Sequence, residues 1–224
     1  MMTEEDEVGG MRRGTALLLG LSAAVAMLIG SGSAASGGPR TKALFFGDSL
    51  INGTGSHPAR PLEVRRAAAS LGWEAVVDGR GGTGYTTGGQ HGKRYLDRLQ
   101  HDGFLHTPYD VIVLEGGTND ARHGDLARLR AKALQVIDYV HHRQPWAHLV
   151  MVGGYAPHGV DLTRYVEADV ILQQVAAERH LTYVSQLHYS GVAEASFYAS
   201  DHYHPSNAGY AVLARDLAAA LKAA

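Results

Sequence analysis

The chain has 224 residues, no cysteine and a net charge of -2, with 20 Lys and Arg against 22 Asp and Glu. These figures exclude disulfides, thiolate nucleophiles and Cys-ligated metal centres, and they provide no basic footprint for nucleic acid. With 45% hydrophobic and 19% charged residues, the composition is that of a globular protein, and the length suits one α/β domain or two very small ones.

The N-terminal 35 residues have the pattern of an export signal. Residues 11–13 form a short basic start, residues 15–30 are uncharged and mostly apolar, and residues 31–36 are small. These three parts match the regions of a secretory signal peptide. The alternative is an uncleaved membrane anchor, although the apolar run is shorter than the ~20 residues that cross a bilayer.

The acidic residues 1–10 do not fit an export signal, so we expect translation to begin at Met11. Cleavage near Ala34 or Ala35 then leaves residues 36–224 as a single domain, secreted or held in the cell envelope. We expect no membrane span in the processed protein.

Short apolar segments alternate with longer amphipathic segments through the rest of the chain. The apolar segments predict strands over residues 42–46, 74–77, 110–114, 148–152 and 181–184. Helical spacing predicts helices over residues 61–71, 125–143, 162–179 and 207–222. In the third helix, Val166, Val170, Val175 and Ala176 are the expected apolar positions. This alternation predicts a doubly wound α/β fold with a parallel five-stranded sheet and helices on both faces.

Polar and glycine-rich segments lie where the predicted strands end. They are residues 47–50, 79–84 and 117–120, after the first three strands, and residues 201–205, before the last helix. Ligands of open α/β sheets bind beyond the carboxyl ends of the strands. We therefore expect these remote segments to meet at one edge of the sheet.

The residues in these segments have the chemistry of an acyl-transfer site. Ser49 provides a hydroxyl at a turn that leaves a strand, and His204 and Asp201 provide a base with a carboxylate three positions away. Gly82 offers an unhindered backbone N–H and Asn119 a side-chain amide, both suited to stabilising an oxyanion.

The same segments resemble a known family. Gly47-Asp48-Ser49-Leu50, Gly82, Gly117-Thr118-Asn119-Asp120 and Asp201-His202-Tyr203-His204 resemble, in this order, the four sequence blocks of the SGNH (GDSL) hydrolases. The resemblance covers residues 42–221. It implies a three-layer α/β/α sandwich with a flavodoxin-like sheet. It also implies a Ser–His–Asp esterase in which Ser49 is the nucleophile, His204 the general base and Asp201 the group that orients the imidazole.

The resemblance further implies an oxyanion hole built from the N–H groups of Ser49 and Gly82 and the side chain of Asn119. Because the second block is unusually rich in glycine, Gly81 or Gly84 is the alternative backbone donor.

These observations predict a secreted carboxylic ester hydrolase that needs no metal or other cofactor. Its expected substrates are small-molecule, glycan or lipid esters, such as short-chain or O-acetyl esters, with Asp48, Tyr85 and Tyr203 as candidate substrate contacts. We expect no nucleic-acid partner. The alternative is a catalytically weak carbohydrate- or lipid-binding protein on the same scaffold.

Three other site types are weaker interpretations of the sequence. Residues 79–84 match G-x-G-x-x-G, but a dinucleotide site needs a helix to begin directly afterwards. His202 and His204 are spaced like metal ligands, but no third ligand is recognisable. Asp48 and Asp120 are conceivable as a glycosidase acid pair, although aspartates at such positions more often hydrogen-bond their own turns.

Overall fold

The computed structural model describes residues 40–57, 62–189 and 196–223. The predicted signal segment lies outside the described residues. The sheet comprises β1 (Lys42–Gly47), β2 (Glu74–Gly79), β3 (Val111–Gly116), β4 (His148–Gly153) and β5 (Thr182–Val184). The strands are all parallel, in the order β2-β1-β3-β4-β5. Each predicted strand is present, with ends within two residues of the expected positions.

Helices cover both faces of this sheet. They are α1 (Ser49–Asn52), α2 (Leu62–Leu71), α3 (Tyr95–His101), α4 (Thr118–His123), α5 (Leu126–Arg143), α6 (Thr163–Glu178) and α7 (Asn207–Ala223). Side chains of α3, α5 and α6 pack against one face, and side chains of α2 and α7 pack against the other. The predicted three-layer α/β/α sandwich is therefore confirmed.

The central strands are buried on both faces, as their continuous apolar sequences predict. Successive side chains of a strand point to opposite faces. Leu44 and Phe46 accordingly pack with α3, α5 and α6, whereas Ala43 and Phe45 pack with α2 and α7.

The helix α6 buries only two of the four apolar positions that the sequence led us to expect. Val175 and Ala176 are buried, but Val166 and Val170 are each 43% exposed. The buried face also contains Tyr165, Ala168 and Leu172. Because α6 packs this face against the core, Val166 and Val170 lie on the side of the helix that faces solvent.

The strand order determines where a ligand can bind. The chain passes from β1 to β2 on one side and then crosses to β3 on the other, so the topology reverses between β1 and β3. Crevices at such a reversal are the usual binding sites of doubly wound sheets. Ser49 follows β1, and Asn119 follows β3, so both lie beside this crevice. Within the described ranges, no helix is both long and apolar enough to cross a membrane.

Candidate active site

The turn after β1 presents Ser49 at the carboxyl edge of the sheet. Gly47 ends the strand where a Cβ would lie 2.6 Å from Ile51 and 2.8 Å from a backbone carbonyl, so only glycine fits there. Asp48 caps the short helix α1 by accepting a hydrogen bond from the Leu50 N–H at 2.9 Å. Gly53 ends the helix with a left-handed φ of 75°. The hydroxyl of Ser49 is thereby fixed at the start of a one-turn helix.

The loop before α7 brings His204 and Asp201 to this serine. His204 Nε2 lies 3.0 Å from Ser49 Oγ, and His204 Nδ1 lies 2.7 Å from Asp201 Oδ2. The Nδ1–H therefore donates to the Asp201 carboxylate, which leaves Nε2 free to accept the serine hydroxyl proton. The three residues that the sequence predicted to converge are thus linked through His204, which is within hydrogen-bond distance of both others.

Asp201 also organises the backbone of its own loop. Its Oδ1 accepts hydrogen bonds from the N–H groups of Tyr203 and His204, each at 2.9 Å. Partial burial by itself raises the pKa of Asp201, but the hydrogen bonds from His204 and Tyr203 outweigh it and lower the pKa below its usual value. Asp201 is therefore ionised wherever His204 is to act as a base.

Tyr155, which follows β4, supports the loop that carries Asp201 and His204. Its hydroxyl donates to the Tyr203 carbonyl, and its own carbonyl accepts a hydrogen bond from Thr118 Oγ1 at 2.9 Å. The ring is fully buried. A residue on the β4 side of the sheet thus sets the position of the peptide next to His204. This link was not predictable from the sequence, because Tyr155 lies 48 positions from Tyr203.

Three residues of the cleft have backbone N–H groups that are not engaged. Among the described residues, the N–H groups of Ser49, Gly81 and Gly82 donate no hydrogen bond, and all three residues line the same cavity. Gly82 has a φ of 75°, which favours glycine. The Gly84 N–H already donates to the Thr87 carbonyl at 2.8 Å, so Gly84 does not serve as the alternative donor.

The amide of Asn119 is held in place from two sides. Its Nδ2 donates to Asp48 Oδ2 at 2.9 Å and to the Thr83 carbonyl at 3.0 Å. Asn119 also lines the cleft, so an oxyanion at Ser49 has to share one of these donated hydrogens. Burial raises the pKa of Asp48 to about 7, although hydrogen bonds from Leu50 and Asn119 lower it in part.

The cleft around Ser49 is small and is lined by polar residues and glycines. A cavity of about 470 Å³ is lined by Ser49, Thr54, Gly81, Gly82, Asn119, Arg122, His123, Asp201, Tyr203 and His204. A second cavity of about 680 Å³ adjoins it and shares Gly81, Gly82 and His123 with it. The other residues that line the second cavity are Arg80, Thr87, Gly89, Gln90 and His91. Together the two cavities run along the carboxyl edge of the sheet.

Of the three candidate substrate contacts, the structure brings only Tyr203 to the cleft. Asp48 and Tyr85 are each 1% exposed. Asp48 lies beneath Ser49, where its carboxyl is occupied by Leu50 and Asn119. The Tyr85 ring packs 4.9 Å from the Tyr95 ring in the core, because Asp120 holds the Tyr85 N–H at 3.1 Å.

The structure also bears on the other site types. After residues 79–84 the next α-helix begins only at Tyr95, and the one regular element between them is a 3-10 turn at Gly89–His91, so no helix begins directly after the glycines. Within the described part of the chain, no three His, Asp or Glu side chains are grouped to hold a metal ion. The Asp120 carboxylate accepts hydrogen bonds from the Tyr85 and Thr86 N–H groups, at 3.1 and 2.7 Å, and from its own backbone N–H.

A buried arginine that the sequence did not indicate braces the site. Arg98 on α3 is fully buried, and its guanidinium donates to the Gly47 carbonyl at 2.7 Å, to Thr83 Oγ1 at 2.7 Å and to the Asp78 carbonyl at 3.0 Å. It also lies 4.2 Å from the centre of the Phe46 ring. This one side chain joins the ends of β1 and β2 to the glycine-rich segment beside Ser49.

Comparison with protein families finds one match, which spans most of the chain. Residues 45–212 match the GDSL-like Lipase/Acylhydrolase family. A search of curated proteins finds no match.

Solved structures share this fold. A family two carbohydrate esterase from Clostridium thermocellum, in complex with cellohexaose, has 21% identity and a TM-score of 0.67, over 81% of this chain and 63% of that chain. The present chain thus spans less than two thirds of that esterase. A family 2 carbohydrate esterase from Corynascus thermopiles (Myceliophthora fergusii), which includes a carbohydrate binding domain, has 16% identity and a TM-score of 0.66, over 84% and 67%. A Lactobacillus plantarum protein has 19% identity and a TM-score of 0.67, over 82% and 97%.

Proposed function

The chain belongs to the GDSL-like lipase/acylhydrolase family, and on that premise we propose that it hydrolyses short acyl esters of polar alcohols through an acyl-enzyme on Ser49. The observation that carries this proposal is the continuous hydrogen-bonded path from Ser49 Oγ to His204 and on to Asp201. A hydroxyl, a base and an orienting carboxylate in this arrangement constitute an activated nucleophile.

In the first step, Ser49 Oγ attacks the ester carbonyl carbon while His204 Nε2 takes the hydroxyl proton. The resulting imidazolium is stabilised by the ionised Asp201, and the oxyanion is stabilised by the free N–H groups beside Ser49. The tetrahedral intermediate then collapses as His204 returns the proton to the leaving alkoxide. The products are an alcohol and an acyl-enzyme.

In the second step, water repeats this sequence. His204 Nε2 takes a proton from water, the hydroxide attacks the acyl carbon, and the proton passes to Ser49 Oγ as the carboxylic acid departs. The cycle regenerates the neutral imidazole and the free serine, and it consumes one water for each ester.

The lining of the cleft favours a small acyl group over a lipid chain. None of the described lining residues is aliphatic, and Tyr203 is the one phenol ring among them. Sites for long acyl chains are lined mainly by hydrophobic side chains. A short acyl group, such as acetyl, needs no such wall.

The adjoining cavity favours a polar alcohol. Its described lining contains Gln90, His91 and His123 beside the glycines of the second block. Amides and imidazoles of this kind hydrogen-bond hydroxyl groups, which suits a saccharide. The carbohydrate esterases with the same fold support this choice. We also propose that the protein is exported, which rests on residues 1–35 alone and is tested by N-terminal sequencing of the processed protein.

Turnover of 4-nitrophenyl esters with acyl chains of two, four and eight carbons tests this function. We expect the acetate to be the best substrate and Ser49→Ala to lower kcat/KM by about 10⁴-fold or more with unchanged circular dichroism. Ser70→Ala is the matched control, because Ser70 lies on α2 and its hydroxyl bonds the Ala67 carbonyl of its own helix. Retained turnover in Ser49→Ala overturns the proposal, and saccharide binding without turnover by the wild type favours the non-catalytic alternative.

A further inference from the structure

The cleft wall contains one cation that no carboxylate of the described residues neutralises. Arg122 lies near the end of α4, three positions after Asn119, and lines the same cavity as Ser49. No Asp or Glu of the described ranges lies within ion-pair distance of its guanidinium. An arginine at the mouth of a catalytic cleft is thus available to a ligand.

Other charged side chains around the two cavities already form ion pairs or hydrogen bonds within the protein. Arg80 lies 2.8 Å from Asp102 and 3.6 Å from Asp78. Both carboxylate oxygens of Asp201 accept hydrogen bonds from His204 or from the adjoining backbone. Of the two charged side chains that line the cleft around Ser49, Asp201 is thus committed to His204 and its own loop, whereas Arg122 forms no ion pair with any carboxylate of the described residues.

Stacking holds the Arg122 guanidinium in a defined place. Its central carbon lies 4.5 Å from the centre of the Tyr203 ring, in the loop that carries His204. A guanidinium that stacks on an aromatic face keeps its N–H groups in the plane of the fork, where they can pair with a planar carboxylate. Such bidentate pairs are among the strongest and most directional polar contacts.

We propose that Arg122 binds a carboxylate of the substrate, so that the enzyme prefers esters that carry an acidic group near the scissile bond. Acidic saccharides and half-esters of dicarboxylic acids have this chemistry. The inference rests on the proposed esterase function and specifies its substrate class.

Two pairs of esters test the proposal from both sides of the scissile bond. The first pair is 4-nitrophenyl hemiglutarate with neutral 4-nitrophenyl butyrate, which places the carboxylate on the acyl group. The second is 4-acetoxybenzoate with its methyl ester, which places it on the leaving alcohol. The measured quantity is the ratio of kcat/KM for the anionic ester to that for its neutral partner.

We expect the wild type to show a ratio raised by about tenfold or more in at least one pair, and Arg122→Gln to abolish that rise. Added salt should lower the ratio in the wild type and leave it unchanged in the variant. Arg122→Lys should retain part of the preference. Arg143→Gln, at the end of α5 on the opposite edge of the sheet, removes the same charge and should leave both ratios unaltered.

A role for Arg122 that is confined to supporting Tyr203 predicts a different result. Both members of each pair then lose activity together and the ratios stay constant, which overturns the proposal. Equal rates for anionic and neutral esters in the wild type also overturn it. Either failure leaves the esterase function standing if Ser49→Ala still abolishes hydrolysis of the neutral esters.

Discussion

The Asn119 amide donates to the buried carboxyl of Asp48 across 2.9 Å, although the two residues are 71 positions apart in the chain. Asp48 precedes Ser49 after β1, and Asn119 lines the cleft after β3, so this bond joins the two strand ends beside the cleft. The other Asp48 oxygen accepts the Leu50 N–H and thereby caps the helix that begins with Ser49. Asp48 is thus a positioning residue beneath the site.

Replacing Asp48 by asparagine should impair catalysis. An amide has one acceptor oxygen where the carboxylate has two, so either Leu50 or Asn119 then faces an N–H₂ group. We expect kcat/KM to fall about 10- to 100-fold in Asp48→Asn. Asp138→Asn, in an exposed ion pair with Arg179, is the control. Activity of Asp48→Asn within threefold of the wild type contradicts the positioning role.

The bond between Asp201 and His204 leads to a prediction about protonation. In Asp201→Asn the amide N–H₂ can donate a hydrogen bond to His204 Nδ1. This favours the tautomer that carries its proton on Nε2, which cannot accept the serine proton. We expect kcat to fall about 10³- to 10⁴-fold. In the wild type, kcat/KM should decline on the acid side, because Nε2 of His204 must be unprotonated to accept the serine proton. The lowered pKa of Asp201 keeps that carboxylate ionised. A profile that stays flat into strongly acid solution contradicts the role of His204.

The Tyr155 hydroxyl should contribute to activity without touching the substrate. Tyr155→Phe removes the bond to the Tyr203 carbonyl, so the loop of His204 loses one support. We expect about a tenfold loss of kcat, with a loss of about 1 kcal/mol in the free energy of unfolding. Tyr139→Phe, on the half-buried side of α5, is the matched control. Equal values of kcat in Tyr155→Phe and Tyr139→Phe would show that the Tyr155 hydroxyl does not contribute to activity.

A buried carboxyl near the site should make stability depend on pH. Glu63 Oε1 accepts from Gln186 at 2.9 Å, and burial raises the pKa of Glu63 to about 8. Because the folded-state pKa exceeds the unfolded value, the folded state binds the proton more tightly, and this stabilisation is lost as the pH rises through about 8.

Urea unfolding at pH 5, 7 and 9 measures this effect. We expect the free energy of unfolding of the wild type to fall toward pH 9, and the fall to be smaller by about 1 to 3 kcal/mol in Glu63→Gln. Glu74→Gln, at an exposed position of β2, should behave as the wild type does. The same fall in Glu63→Gln and in the wild type would show that Glu63 is not the group responsible.

The strands and the place of Ser49 were predictable because both leave local signals. Continuous apolar segments indicate strands buried on two faces, and polar residues directly after such strands lie at one edge. Asp201 and His204 precede α7 instead of following a strand, so their place in the cluster was predicted from their residue types and spacing and from the resemblance to the SGNH hydrolases.

The bracing around the site was not predictable in this way. Arg98 lies on a helix of seven residues that is too short for a clear apolar period. Its partners include a carbonyl 51 positions away, and arginine is rarely fully buried. Tyr85 was misplaced for a related reason, because the direction of its ring depends on a hydrogen bond from its backbone to Asp120.

Covalent labelling with a fluorophosphonate, followed by peptide mass mapping, tests the nucleophile most directly. We expect one adduct per chain, on Ser49, with parallel loss of esterase activity, and a much slower reaction in His204→Ala. An adduct on another residue, or full turnover by protein in which this serine is blocked, would show that the 3.0 Å approach of Ser49 Oγ to His204 Nε2 is not the catalytic contact.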